Sequence, residues 1–265
     1  MAPLVLAFVV GGCGATGAPS SAAPSGAKPS GASLTVFAAA SLTAALAQAQ
    51  DAYAASHPGV RLTVSTDSSA ALETKIEQGA PADVFLSADT ANPQKLVDAG
   101  LAVGALVPFA GNHLTVVVPA ANPAGIRTPA DLARRGLKVV AAGDAVPITT
   151  YADQVVANLA REPGYPADFA ARYAANIVSR EDNVAGVVAK VGLGEADAGI
   201  VYVTDARAST KVATIDLPED ANVPAAYGGV VVRGSGQAEA TAFLSWLAGP
   251  SGQSILSSFG FLPTS

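Results

Sequence analysis

The residues best placed to do chemistry sit where apolar runs stop and helix-like runs begin. Leu34-Thr35-Val36-Phe37-Ala38-Ala39-Ala40-Ser41-Leu42 is an apolar, β-branched run that ends in three alanines and a serine. A helix-like run follows at once, which puts Ser41 at the expected N-cap. The first N–H groups of a helix have no internal partner, and the helix dipole adds partial positive charge there. Small residues let an outside anion reach those groups. Asp67-Ser68-Ser69-Ala70, Val146-Pro147-Ile148-Thr149-Thr150 and Glu181-Asp182-Asn183-Val184 have the same character. Any one of them is accounted for by helix capping alone. Four in one chain point to an anion seat built from neutral donors, since none of the four carries lysine or arginine. Tyr202, at the end of a strand-like run, could add a hydroxyl.

The elements that must position these residues alternate. Strand-like runs at 34–38, 60–65, 84–87, 114–119, 138–142, 198–203 and 227–233 are separated by helix-like runs. This predicts an α/β fold of mostly parallel sheets flanked by helices. In such sheets ligands bind beyond the C-terminal strand ends, and two lobes facing each other that way enclose a cleft. Lobe 1 is expected over 33–112 plus 228–265, and lobe 2 over 113–227.

The chain has 265 residues, 50% of them hydrophobic and 14% charged, with a formal net charge of −6. That is ample for a core, and the acidic balance argues against nucleic acid as a partner. Residues 3–10 are apolar but too few to span a bilayer. They lead to Val10-Gly11-Gly12-Cys13, which resembles a bacterial lipobox. A signal peptide is expected over 1–12, with lipid on Cys13. Residues 13–32 are mostly Ala, Gly, Ser and Pro and suit a flexible tether. Cys13 is the only cysteine, so no internal disulfide is possible. The expected place is outside the cytoplasmic membrane, held by the lipid.

From Leu34 to Phe261 the chain resembles the periplasmic molybdate-binding proteins of bacterial ABC transporters. The resemblance is carried by Val36-Phe37-Ala38-Ala39-Ala40-Ser41-Leu42, Gly79-Ala80-Pro81-Ala82-Asp83-Val84-Phe85 and Ser87-Ala88-Asp89. Further on it rests on Gly111-Asn112, Gly199-Ile200-Val201-Tyr202, Gly249-Pro250 and Gly260-Phe261. It implies a two-lobed substrate-binding protein that holds molybdate or tungstate and delivers it to a membrane permease. It also implies a monomer with no cofactor, no free metal cation and no enzymatic activity. Carried over by position, Ser41 and Ser69 would each give a hydroxyl and an N–H. Ile148 and Val184 would each give a backbone N–H, and Tyr202 its hydroxyl. Two departures stand out. Asn183 looks inserted, and Ile148-Thr149 replaces the usual Ala-Gly, so Ile148 could narrow the pocket and Thr149 could add a donor.

Rival functions remain at this stage. Sulfate is also a fully ionised tetrahedral dianion. Phosphate near neutral pH carries a proton and needs an acceptor, for which Asp67 is the candidate; its other role would be to cap the helix from Ala70. A serine hydrolase would pair Ser41 or Ser69 with His57 or His113, but neither histidine lies in a recognisable catalytic motif.

Overall fold

The computed structural model describes residues 31–234 and 236–264. The expected signal peptide, Cys13 and nearly all of the tether lie outside them. The elements run β1 (Ala32–Ala39), α1 (Thr43–Ser56), β2 (Val60–Asp67), α2 (Ser69–Glu77), β3 (Val84–Ser87), α3 (Ala91–Asp98), β4 (Ala102–Asn112) and β5 (Leu114–Pro119). Then come β6 (Val139–Ala142), α4 (Pro147–Leu159), α5 (Phe169–Asn176), β7 (Ile177–Glu181), α6 (Val184–Gly192), β8 (Gly199–Tyr202) and α7 (Val203–Arg207). The chain closes with β9 (Val212–Ile215), β10 (Ala225–Val232), α8 (Gln237–Ala248) and α9 (Pro250–Ser258).

Local sequence explains the elements. In β1 the alternate residues Leu34, Val36 and Ala38 are buried, as a half-buried strand requires. Helix α2 ends at Gly79, whose φ of 89° is open to glycine at little cost. There Ala80 N–H donates to Lys75 O at 2.9 Å and Gly79 N–H to Ile76 O at 2.9 Å, a Schellman closure. Gly194 ends α6 in the same way, with φ of 76°.

The strands form two groups. The first has the order β2-β1-β3-β10-β4. In it β1 pairs parallel with β2 and β3, while β10 is antiparallel to β3 and β4. The second is built from β8-β5-β9 and β6-β7. A parallel bridge between Val139 and Ala198 joins β6 to the lead-in of β8, so the order reads β7-β6-β8-β5-β9. There β5 is antiparallel to β8 and β9, and β6 is parallel to β7. Each group therefore has one strand running against the rest. That strand, β10 in the first group and β5 in the second, is the one whose chain has just arrived from the other group. It does not come through a helical crossover, so the rule that makes βαβ strands parallel does not bind it.

This matched order sets up the site. Strands β1, β2 and β3 end at Ala39, Asp67 and Ser87. Their counterparts β6, β7 and β8 end at Ala142, Glu181 and Tyr202. All six are C-terminal ends of like-directed strands, where ligands bind in α/β sheets.

Several elements differ from the sequence-based expectation. The first helical turn is a short 3-10 piece, Ala40–Leu42, whose N-cap is Ala39. Ser41 lies inside this turn and is not the N-cap. Between β5 and β6, where a helix-like run separates two strand-like ones, the chain forms only a 3-10 turn, Pro129–Ala133. Strands β7 and β9 are short, five and four residues, and carry little periodic signal. The last strand begins at Ala225, with Ala225 and Tyr227 both buried.

Candidate functional site

A small cavity lies at these strand ends. Ser41, Ser69, Ile148, Val184 and Tyr202 all line it, with Asp67, Ser68 and Asn183 beside them. Among the described residues that line it there is no lysine or arginine.

Ser69 is the first residue of α2, and Ser68 is its N-cap, accepting from Ala71 N–H at 3.2 Å. The Ser69 N–H thus has no partner inside its helix. Its Oγ accepts from the Ala88 N–H at 3.0 Å, so the hydroxyl proton is left to point elsewhere. Ser41 Oγ is hydrogen-bonded to the Tyr227 hydroxyl at 2.8 Å. Both serines are buried, Ser69 at 1% exposure.

The second group contributes backbone. Helix α4 opens with Val146 as N-cap and Pro147 in the first position. Proline has no N–H, so Ile148 carries the first donor the helix offers. Helix α6 opens at Val184, capped by Asn183, whose Oδ1 accepts from Gly186 N–H at 3.2 Å. The Val184 N–H is likewise without an intrahelical partner.

Tyr202 is the most telling residue. It is 1% exposed, and its hydroxyl has no hydrogen-bond partner among the described residues. Burying an unpaired hydroxyl costs free energy, and this one lines the cavity. Burial first, then the nearby Tyr227, Tyr151, Asp205 and Asp89, push its phenol well above the usual tyrosine value. It stays protonated and can only be neutral toward an anion.

Asp67 does not cap α2; Ser68 does. Asp67 Oδ1 accepts from Ser68 N–H at 2.8 Å and from Asn183 Nδ2 at 3.3 Å, and Oδ2 accepts from Lys75 Nζ at 2.9 Å. Partial burial pushes its carboxyl up, but the bonds from Lys75, Ser68 and Asn183 outweigh this and hold it below the ordinary value. The carboxylate is therefore bound up with protein donors. Thr149 also differs from expectation. Its Oγ1 donates to the carbonyls of Ala142 (3.0 Å) and Gly143 (2.9 Å), and it does not line the cavity. Neither histidine lines it. His57 stacks on Tyr53 with ring centroids 4.0 Å apart, and the His113 carbonyl accepts from Val203 N–H.

A family model described as bacterial extracellular solute-binding protein matches residues 34–262. The chain belongs to the bacterial extracellular solute-binding protein family. This solute-binding protein is 38% identical to the molybdate-binding protein ModA of Mycobacterium tuberculosis, over 97% of its own length and 95% of that protein's. It is 30% identical to the putative ABC transporter substrate-binding lipoprotein YvgL of Bacillus subtilis, over 98% and 96% of the two lengths. Its structure resembles that of the periplasmic molybdate-binding protein of Azotobacter vinelandii with a TM-score of 0.74 and 25% identity, covering 88% of this chain and 100% of that one. The fold is accordingly the two-lobed one of this family, with the cavity between the lobes.

Of four buried polar residues in this solute-binding protein's site region, three gave no signal in sequence. Tyr227, Asn112, Thr204 and Asp205 form a buried polar group behind Ser41 and Tyr202. Asp205 is the oddest of them. Burial pushes its carboxyl up to about 8, and its Oδ2 has no partner among the described residues. Only the Gly111-Asn112 pair gave any signal in sequence, as part of the family resemblance.

Proposed function

We propose that this protein binds molybdate and tungstate outside the cytoplasm and hands them to the permease of an ABC transporter. The ligand would be held by the Ser41 and Ser69 hydroxyls and N–H groups, the Ile148 and Val184 N–H groups, and the Tyr202 hydroxyl. The single observation that carries this is the buried, unpartnered Tyr202 hydroxyl facing a cavity ringed by uncharged donors from both lobes. A hydrogen bond to a charged group contributes roughly 1.5–3 kcal/mol. A handful therefore exceeds the roughly 8 kcal/mol of a micromolar complex, with a margin for dehydration and lobe closure. The names of the M. tuberculosis and A. vinelandii relatives favour molybdate as the anion.

The donor set favours a fully deprotonated tetrahedral dianion. A protonated oxyanion would have to point its O–H at a donor, and an unmatched polar group in a closed cleft costs roughly 1–3 kcal/mol. Asp67, the one carboxylate among the described residues that line the cavity, already accepts from Ser68, Asn183 and Lys75. Phosphate is thus disfavoured, and sulfate is the rival that pocket size must separate. Calorimetric titration with molybdate, tungstate, sulfate and phosphate tests the reading. Tight molybdate and tungstate binding with weak phosphate binding supports it, and equal phosphate affinity overturns it.

We further propose that Cys13 carries a lipid that anchors the protein at the outer face of the cell membrane. The lipobox-like Val10-Gly11-Gly12-Cys13 supports this, and so does the name of the B. subtilis relative. A Cys13→Ala protein should leave the membrane fraction; unchanged retention would refute the anchor.

A further inference from the structure

Behind the cavity, three buried side chains line up. Asn112, at the end of β4, is fully buried, as is Tyr227 of β10. Asn112 Nδ2 donates to Thr204 Oγ1 at 2.8 Å and to the Tyr227 hydroxyl oxygen at 3.3 Å. The Tyr227 hydroxyl in turn meets Ser41 Oγ at 2.8 Å. Proton accounting gives this row a direction. The Tyr227 oxygen already accepts from Asn112, whose amide nitrogen is donor-only. Ser41 Oγ is then the one acceptor the described structure offers to the buried Tyr227 proton. Tyr227 therefore donates to Ser41, and the Ser41 proton is left to point into the cavity. Turning the Asn112 amide over would break this direction, but it would leave a buried NH₂ without acceptors. As it stands the Asn112 amide leaves its Oδ1 alone without a partner among the described residues, and orphaned carbonyl oxygens are tolerated better than orphaned N–H groups.

The other serine is treated alike by different means. Ser69 Oγ accepts from the Ala88 N–H, which also frees its proton for the cavity. Burial above all pushes the Tyr227 phenol well above its usual value, so its O–H persists as a donor.

We infer that Tyr227 and Asn112 are positioning residues: they hold the Ser41 hydroxyl as a donor toward the ligand and thereby help the site discriminate against protonated oxyanions. This rests on the reading of Ser41 as a direct ligand. A serine whose oxygen is occupied from behind is less free to turn and accept a proton from hydrogen phosphate. Tyr227 touches the ligand only through Ser41, so removing its hydroxyl should matter only while Ser41 is present.

The test is calorimetric binding of molybdate and phosphate to four proteins: wild type, Tyr227→Phe, Ser41→Ala and the double variant. Tyr227→Phe keeps a ring packed edge-on against Phe109, Tyr202 and Phe261, so the fold is retained. Tyr227→Phe alone should weaken molybdate about three- to tenfold and lower the preference for molybdate over phosphate. In the Ser41→Ala background the same change should have almost no effect. A full, additive effect in that background, or an unchanged anion preference, would overturn the inference. If Ser41→Ala itself binds as wild type, the ligand assignment falls and the positioning role with it. If Ser41→Ala binds weakly while Tyr227→Phe binds as wild type, only the positioning role falls. Asn112→Asp is a second route: its carboxylate accepts where the amide donated, drawing the Tyr227 proton away from Ser41. It should lower molybdate affinity and preference as Tyr227→Phe does, and wild-type behaviour would count against the row.

Discussion

Asn183 and Asp67 meet across the mouth of the cavity, with Asn183 Nδ2 donating to Asp67 Oδ1 at 3.3 Å. Asp67 ends β2 in the first strand group, and Asn183 caps α6 in the second. The bond therefore exists only while the two sides are together. Asn183→Ser keeps a capping oxygen for Gly186 but cannot reach Asp67. The variant should bind molybdate more weakly by roughly 0.5–1.5 kcal/mol, with little change in melting temperature. Titration calorimetry beside thermal unfolding checks this, and unchanged affinity would remove the contact from any role in closure.

Tyr202→Phe should behave unlike an ordinary core substitution. The hydroxyl it deletes is buried and unpartnered, so the ligand-free protein loses nothing by its removal and gains up to about 1 kcal/mol. Affinity for molybdate should fall by roughly 1.5–3 kcal/mol. Opposite signs for stability and binding are the signature, read from denaturant unfolding and calorimetry. A loss of stability would mean that the hydroxyl is satisfied within the fold.

The two serines should separate. Each alanine variant loses a hydroxyl but keeps its backbone N–H, so binding should weaken by roughly 1–3 kcal/mol in either. Ser69→Ala additionally strips the buried Ala88 N–H of its acceptor, which costs about 1–3 kcal/mol of stability. Its melting temperature should drop even without ligand. Wild-type affinity in the double variant would contradict the proposed ligand set.

Asp205 predicts a pH effect with a definite sign. Its carboxyl is raised from 3.8 to about 8 in the folded protein. Between these values the native state holds a proton that the unfolded chain has released. Stability from this group is thus full below about pH 4, falls as pH rises toward 8, and levels off above that. Asp205→Asn removes the titration, so the stability gap between variant and wild type should widen in the variant's favour from pH 5 to pH 8. Parallel unfolding curves over that range would show that Asp205 ionises as in water.

Much of this was readable in the chain. The apolar run of β1, the small residues after it and the short polar residues Asp67-Ser68-Ser69 marked where strands give way to helices, because those signals are local, although Ser68 and not Asp67 caps α2. The N-cap at Ala39 rather than Ser41 was missed, since a 3-10 turn and an α-helix start on the same residues. Thr149 looked like a free donor, but nothing local says that its hydroxyl turns back to the carbonyls of Ala142 and Gly143. The Ser41–Tyr227 contact spans 186 positions. Only the sheet order, which brings β10 next to β3, two strands from β1, makes it possible.

The most direct measurement is anomalous diffraction at the molybdenum edge, or at a tungsten edge, from crystals grown with the anion. A single strong peak is expected within hydrogen-bonding distance, through the oxyanion's oxygens, of Ser41, Ser69, Ile148, Val184 and Tyr202. A peak elsewhere on the molecule, or none at saturating anion, would contradict the proposed site.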